Sequence, residues 1–557
     1  MWKLESGKPM NLQKKFISDR MTLLGLMIIA MAIMWNPNYL NQTLNLFEWG
    51  LYLPGIDAVS QGQVPFRDFF HLRGPFELYA PAFFMKIFGF RADVLAAYFY
   101  LGTVLTMLVA VLIAYELIHQ RLLLCSLVLI LVTRTFPRVV FTFWGGMRYA
   151  WGLLAVWCLI RFLKSNRPGW LVAAGCLAAI GAWTSIEIGV GVLVAFMVVM
   201  ALSRECRRRA WVIFAGFLII SVPFGIYLLS QNAFMPFLQA QWIVVTHMQR
   251  VFLQTNPVPD TLPKLLHALS SFGGPIVIFV PWDKNFHQMT PLYCYLFFFS
   301  LYFWRVFHKK ATALDQAALA VAVYGLMLFL TGFRNLWASV FEMSLQPEKI
   351  VLFFLLGQFI VWARHRYARF KWAGAMLLAA VVLSSVVYSV SHFNKKFFGR
   401  HARHSQLSGP QAGHSSLLVS PIDQPRIRHM TIPVWQAKDL EQLKAFVDEH
   451  VPAHEAVWMY PELGSLHFML QRPWVGHFPM ATMSWMDEGW FADYETALES
   501  HPPGYAIVNK KMPFYFDKTY FLVPANRIKH ERMMQFLYNH YVVEGQTPSY
   551  LIYRRVH

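Results

Sequence analysis

Between Trp35 and Phe90 the chain carries Glu48, Asp57, Arg67, Asp68, His71, Arg73 and Glu77 in a polar stretch punctuated by Gly and Pro, set between two hydrophobic runs. Ionisable groups beside a bilayer are costly unless they are solvated, paired or used. Carboxylates, an imidazole and guanidinium groups held this close together equip a site for proton transfer and for binding anions. Further ionisable residues stand at the ends of later apolar runs: Arg134, Arg138, Arg148, Glu187, Arg334 and Glu342.

The elements that must position these groups are membrane helices. Of 557 residues, 56% are hydrophobic and only 14% charged, with 48 Phe and 20 Trp. A soluble protein of this length has no room to hide that much apolar surface, whereas a lipid solvent accepts it. Runs suited to about 30 Å of hydrocarbon recur near residues 21–36, 92–117, 122–138, 145–163, 169–184, 188–203, 210–229, 291–307, 314–332, 349–364 and 371–391. The sequence therefore predicts an α-helical integral membrane bundle of about eleven spans. A weaker run, Gly273–Trp282, contains Pro and reads as interfacial or re-entrant.

Charge orients the bundle. Lys3, Lys8, Lys14, Lys15 and Arg20 mark residues 1–20 as a cytoplasmic tail. Every second connection after it is basic: Arg121; Arg161, Lys164 and Arg167; Arg204 and Arg207 to Arg209; His308 to Lys310; and Arg364 to Lys371. The positive-inside rule places these on the cytoplasmic face of a plasma (inner) membrane protein and sends loop 37–91 outside. The net charge of +19 is then topology plus a basic tail, with no nucleic-acid partner implied. The first span lacks a small-residue cleavage site and reads as a retained anchor.

After the membrane domain, 21–391, composition changes. Residues 392–557 read as an extracytoplasmic α/β domain, opening with a basic, His-rich linker. AKDLEQLKAFVDEH has helical apolar spacing, HEAVWMY reads as a buried strand, PELGSLHFMLQ and YETALESH as helices, YAIVNK as a strand, KHERMMQFLYNHY as a helix, and YVVEG with SYLIYRR as a closing strand pair. The spacing of His401, His404, His414 and His429 fits no tetrahedral metal template, and a linker facing anionic headgroups is the better account. The five cysteines fall in spans or a cytoplasmic loop, so no disulfide framework or CxxC site exists outside. Asn41-Gln42-Thr43 is a glycosylation sequon of little specificity.

The first loop resembles the early loop of the GT-C class of polytopic glycosyltransferases, of the mannosyltransferase and aminoarabinose-transferase kind. The resemblance rests on Glu48-Trp49-Gly50-Leu51-Tyr52, on Gly62-Gln63-Val64-Pro65-Phe66-Arg67-Asp68-Phe69, and on Gly74-Pro75 leading to a helix that ends Phe88-Gly89. Many relatives carry Asp-Glu where this chain has Glu48-Trp49, so one carboxylate is missing. Helix number, N-terminal side and a C-terminal outer domain follow the same order along nearly the whole chain.

The resemblance implies transfer of a sugar, with inversion, from a polyprenyl-phosphate or pyrophosphate-linked donor to a lipid or glycan acceptor at the outer face. An acceptor hydroxyl must lose its proton as it attacks, which calls for a positioned carboxylate. Glu48 is the first choice for that base and Asp68 the second; a carboxylate that instead holds a divalent cation is the alternative. The anionic leaving group needs cations, and Arg73, Arg134, Arg138, Arg148, Arg334 and His71 lie on the side where positive-inside statistics disfavour them. Asp57, Glu187 and Glu342 are expected to line the substrate site or balance the arginines, with Asp57 otherwise structural, as a cap or paired with Arg67. Two rivals are a lipid transporter, which calls for mid-membrane charges and an inverted repeat, and a non-catalytic assembly partner of the same fold.

Overall fold

The computed structural model describes residues 10–35, 44, 46–135, 146–248, 250–251, 284–332, 339–366, 371–397, 418–419, 424–480, 485–510, 521 and 523–556. Helices α1 (Met10–Met34), α2 (Leu46–Gly50), α3 (Leu53–Ser60), α4 (Phe76–Phe88), α5 (Ala92–Leu117) and α6 (Arg121–Thr135) come first. Then follow α7 (Gly146–Ser165), α8 (Gly169–Thr184), α9 (Ile186–Leu202), α10 (Arg204–Arg208), α11 (Ala210–Ser230) and α12 (Phe234–Ile243), the last running into a π-turn at Val244–Met248. The helical part ends with α13 (Lys284–Phe307), α14 (Ala313–Gly332), α15 (Ser339–Arg366) and α16 (Lys371–Phe397).

Over the described residues, the eleven longer hydrophobic runs read from sequence fall on these helices. Among the described residues, four stretches are long and apolar enough to cross a membrane alone: Ala92–Leu117, Ala210–Ser230, Ala313–Thr331 and Gln346–Ala363. The boundaries moved outward where polar turns extend the hydrogen-bonded ladder beyond the apolar run: α1 begins at Met10, α13 at Lys284 and α15 at Ser339. Helix α8 packs along α7 and α11, α7 along α5, and α14 between α9 and α15. On α11, Trp211, Phe214, Ile219, Ile226 and Leu229 are exposed, an apolar outer face suited to lipid.

The C-terminal part pairs β1 (Leu418–Val419) with β2 (Ile432–Pro433) ahead of α17 (Val434–His450). Then come β3 (Val457–Tyr460), α18 (Gly464–Leu470), α19 (Glu488–Ser500), β4 (Tyr505–Asn509), α20 (Pro524–His540), β5 (Tyr541–Gln546) and β6 (Tyr550–Arg555). The sheet order is β3-β4-β6-β5, with β3 parallel to β4 and the other pairs antiparallel. Helix α17 buries Leu440, Leu443 and Val447, one face at helical spacing. This is the small α/β layer that the sequence predicts.

Residues 46–90 are built into that layer. Trp49, Tyr52, Leu53, Ile56 and Phe69 share one apolar cluster with Leu440, Leu443, Met459, Leu466 and Ile507. Backbone bonds stitch the two parts: Leu44 N to Thr431 O, 3.0 Å; Phe70 N to His477 O, 2.6 Å; Ala92 N to Arg426 O, 2.9 Å. Helix α5 starts at this junction and, over its 26 residues, runs about 39 Å to Glu116 at the far end. There Arg161 and Lys164 reach Glu116 at 2.7 and 2.8 Å. The α/β layer and these basic connections therefore cap opposite ends of the bundle.

Candidate active site

The loop's first turn is held by Asp68. Its Oδ2 accepts from Val64 N at 2.7 Å, and Arg67 donates to both carboxylate oxygens at 2.7 Å. The hydrogen bond from Arg67 and that from Val64 outweigh partial burial and keep the Asp68 carboxyl below its ordinary range. Phe66 sits at φ 72°, a left-handed conformation that a bulky side chain adopts only under constraint, here its burial against Phe237. Asp57 pairs with Arg426 at 2.7 Å, which corrects the expected pairing with Arg67. Arg67 is taken by its neighbour Asp68, and Asp57 faces the C-terminal layer.

Next along the chain lies a buried ionic cluster. Arg73 donates to Glu77 at 3.0 and 3.2 Å and to the hydroxyl of Tyr52, and a His71 ring nitrogen lies 3.2 Å from Glu77 Oε2. Pro75 opens α4, so Arg73 and Glu77 stand one helical turn apart. Burial alone raises a carboxyl, yet Arg73 and then His71 outweigh it and hold Glu77 down at about 2. Burial also works against the Arg73 charge, and Glu77 and Tyr52 more than offset it, holding the guanidinium above its usual range. Burial pushes Tyr52 up to about 12, with Arg73 pulling the other way.

Gly74 locks this cluster to the bundle. Its N–H donates to Thr184 O at 3.1 Å, and a Cβ there would lie 2.0 Å from Trp183 O. Only glycine lets the two backbones approach so closely. Just beyond Thr184, Glu187 in the first turn of α9 accepts from Arg148 in the first turn of α7 at 2.9 Å. Arg148, 2% exposed, also donates to Tyr149 Oη, and its buried Nε–H has no partner among the described residues. The two pairs feel one another, Arg148 favouring the Glu77 anion and Glu187 the Arg73 cation.

Of the residues singled out from sequence, His71, Arg73, Arg148 and Glu187 thus meet at one end of the bundle, while Asp57 and Asp68 line an adjoining cleft. Glu48 lies in α2 beside the buried Trp49, Arg134 in α6 and Glu342 in α15; their side chains lie outside those described. Arg138, Arg334, the Gly273–Trp282 run, the sequon and His401, His404 and His414 fall outside the described residues. His429 is exposed and accepts from Arg428. Sequence reasoning gave no role to Glu77, Tyr52 or Tyr149. The i, i+4 spacing of Arg73 and Glu77 across Gly-Pro was the signal for the first. Among the described residues no three His, Cys, Asp or Glu side chains gather as a metal site requires.

Comparison with known proteins places this arrangement in a class. A family model described as dolichyl-phosphate-mannose-protein mannosyltransferase matches residues 73–227. The solved structure of ArnT from Cupriavidus metallidurans in the apo state is 13% identical, with 95% of this chain and 97% of that chain covered and a TM-score of 0.52. ArnT from Cupriavidus metallidurans bound to undecaprenyl phosphate gives 12%, the same coverage and 0.51. The oligosaccharyltransferase of Archaeoglobus fulgidus, tethered to an acceptor peptide containing the NVT sequon, is 11% identical, with 95% and 74% covered and a TM-score of 0.50. Comparison with curated proteins gives no match. The chain has the GT-C glycosyltransferase fold.

Proposed function

We propose that this protein is an integral membrane glycosyltransferase that moves a sugar from a polyprenyl-(pyro)phosphate-linked donor to an acceptor at the outer face of the membrane. The observation that carries the reading is the convergence of Arg73–Glu77, buried, and Arg148–Glu187, with its guanidinium buried and its carboxylate half-buried, at the end of a GT-C bundle that bears the α/β layer. That end is opposite the basic connections, in keeping with an outer placement. ArnT, whose fold this chain shares, has been solved with undecaprenyl phosphate, which supports a lipid carrier.

In this reading the acceptor oxygen attacks the anomeric carbon while the bond from that carbon to the donor phosphate breaks. Its proton passes to Glu48, with Asp68 the second choice of base, and the bonding electrons leave on the lipid phosphate. Each buried guanidinium already holds a carboxylate, so the frame is fixed before substrate arrives, the preorganised arrangement that stabilises developing charge most effectively. Two guanidinium groups against two carboxylates leave no surplus charge in the frame. The groups that meet the phosphate are then Arg134, Arg138 and Arg334, joined by His71 and by the Nε–H of Arg148, which has no partner among the described residues. Glu342 balances them, while Glu187 stays with Arg148.

The test is Glu48→Gln in the full-length protein in its own membrane. Transfer from a polyprenyl-linked donor should stop and the unglycosylated acceptor accumulate, with insertion and expression unchanged. Undiminished transfer by that variant, and by Asp68→Asn, overturns the assignment.

A further inference from the structure

A cleft of about 490 Å³ lies between α3 and the C-terminal layer, a size typical of small-molecule sites. From one side α3 presents Pro54, Asp57 and Ala58, and its C-cap Gln61 continues the same face at i, i+3, i+4 and i+7. The chain leaving α18 supplies the other wall, including Gln471 and the half-buried Trp474.

The charges in these walls cancel. Asp57 is paired with Arg426, Asp68 with Arg67, and Arg472 with Asp448 and the carbonyls of Val451 and Leu470. Burial pushes His467 down to about 4, so at neutral pH it adds no charge. What the walls leave uncommitted is neutral. The carboxamides of Gln63 and Gln471 and the indole N–H of Trp474 have no hydrogen-bond partner among the described residues. Gln471 holds a left-handed backbone, φ 53°, at the end of α18, where glycine or asparagine is the usual occupant. A long amide is kept there against the conformational preference.

Carboxamides both donate and accept, which matches adjacent hydroxyl groups, and an indole offers an apolar face beside one N–H donor. An anion or a cation would find no uncompensated partner in these walls. We infer that the cleft holds an uncharged oligosaccharide, the glycan acceptor of the reaction proposed above, on which this inference rests. Helix α3, whose N-cap is Tyr52, ties the cleft to the Arg73 cluster.

The experiment titrates the full-length protein in nanodiscs with maltose, cellobiose, lactose and N,N′-diacetylchitobiose, read by saturation-transfer NMR. At least one should bind saturably. Gln63→Ala and Trp474→Phe should each weaken it about tenfold, with the thermal midpoint and the cleavage of donor by water unchanged. Trp474→Phe keeps an aromatic ring against Phe69 and guards against a folding artefact. Binding of none of the four, affinity unmoved in both variants, or preference for a charged peptide of similar size overturns the inference. Saturable sugar binding by a protein that cleaves no donor supports the cleft and counts against the transfer reaction, so the two failures are separable.

Discussion

Replacing Glu77 by Gln removes one charge from a buried cluster and keeps its shape. The carboxylate serves Arg73 at 3.0 Å and His71 at 3.2 Å, and all three side chains are at most 10% exposed. Breaking a buried ion pair from one side costs about 3–5 kcal/mol, because the stranded charge stays desolvated. Tyr52 remains as an acceptor for Arg73, which puts the expected loss near the lower end, about 3 kcal/mol. With about 2.1 cal/mol/K of unfolding entropy per residue, this chain as one unit would lose about 2–3 °C of thermal midpoint. Activity should fall much further, about a hundredfold, because a guanidinium displaced by an ångström misplaces the groups around it. Both are measurable on detergent-solubilised protein, by a thermal-shift assay and by radiolabelled sugar transfer. A control, Arg73→Met with Glu77→Leu, should recover the midpoint and leave transfer lost. Full transfer by the Glu77→Gln variant would refute the claim that this cluster frames the reaction. An unchanged midpoint would refute the burial argument. The pH dependence has a definite sign. Glu77 is held at about 2 against an ordinary 4.5, so its contribution is complete above about pH 4.5 and fades as pH falls through 2. Between pH 5 and 8 this group should leave the midpoint flat.

Two further substitutions probe the scaffold and the choice of base. Gly74→Ala puts a methyl group 2.0 Å from Trp183 O, so it should cost about 1–3 kcal/mol and abolish transfer; wild-type stability would contradict the backbone contact. Asp68→Asn should lower transfer only about tenfold, through the loosened 64–69 turn, if Glu48 is the base. A complete loss there, with Glu48→Gln still active, would exchange the two roles.

How much of this was legible beforehand differs between fold and site for a physical reason. Helices in lipid announce themselves by long apolar runs, and the predicted 92–117 and 169–184 spans coincide with Ala92–Leu117 and Gly169–Thr184 residue for residue. The C-terminal elements were equally readable, because short apolar strand runs alternate with helical spacing between Val434 and Arg555. The shared core of loop and layer was not. Packing Trp49 and Phe69 against Leu466 joins residues about four hundred positions apart, and no local pattern encodes that separation.

The site shows the same division. Counting charges singled out the ionisable groups but misassigned partners, because the Coulomb energy of a pair depends on distance in space and on burial, neither of which sequence separation supplies. Asp57 and Arg67 looked like neighbours; Asp57 instead reaches Arg426, 369 positions away. Arg73 and Arg148 read as two anion-binding cations, and the fold gives each its own carboxylate. That changes what the pair can do. A bare guanidinium in apolar surroundings would be mobile and expensive, whereas one clamped by a carboxylate is fixed and nearly neutral as a unit. The frame therefore contributes geometry, and on the reading proposed above most of the attraction for an anionic lipid is assigned to Arg134, Arg138 and Arg334. Salt tests this assignment, since solvent-facing cations are screened and buried pairs are not. Raising ionic strength is expected to weaken donor affinity, read as KM, with kcat at saturation nearly constant. A fall in kcat with unchanged KM would place the working charge inside the buried frame after all.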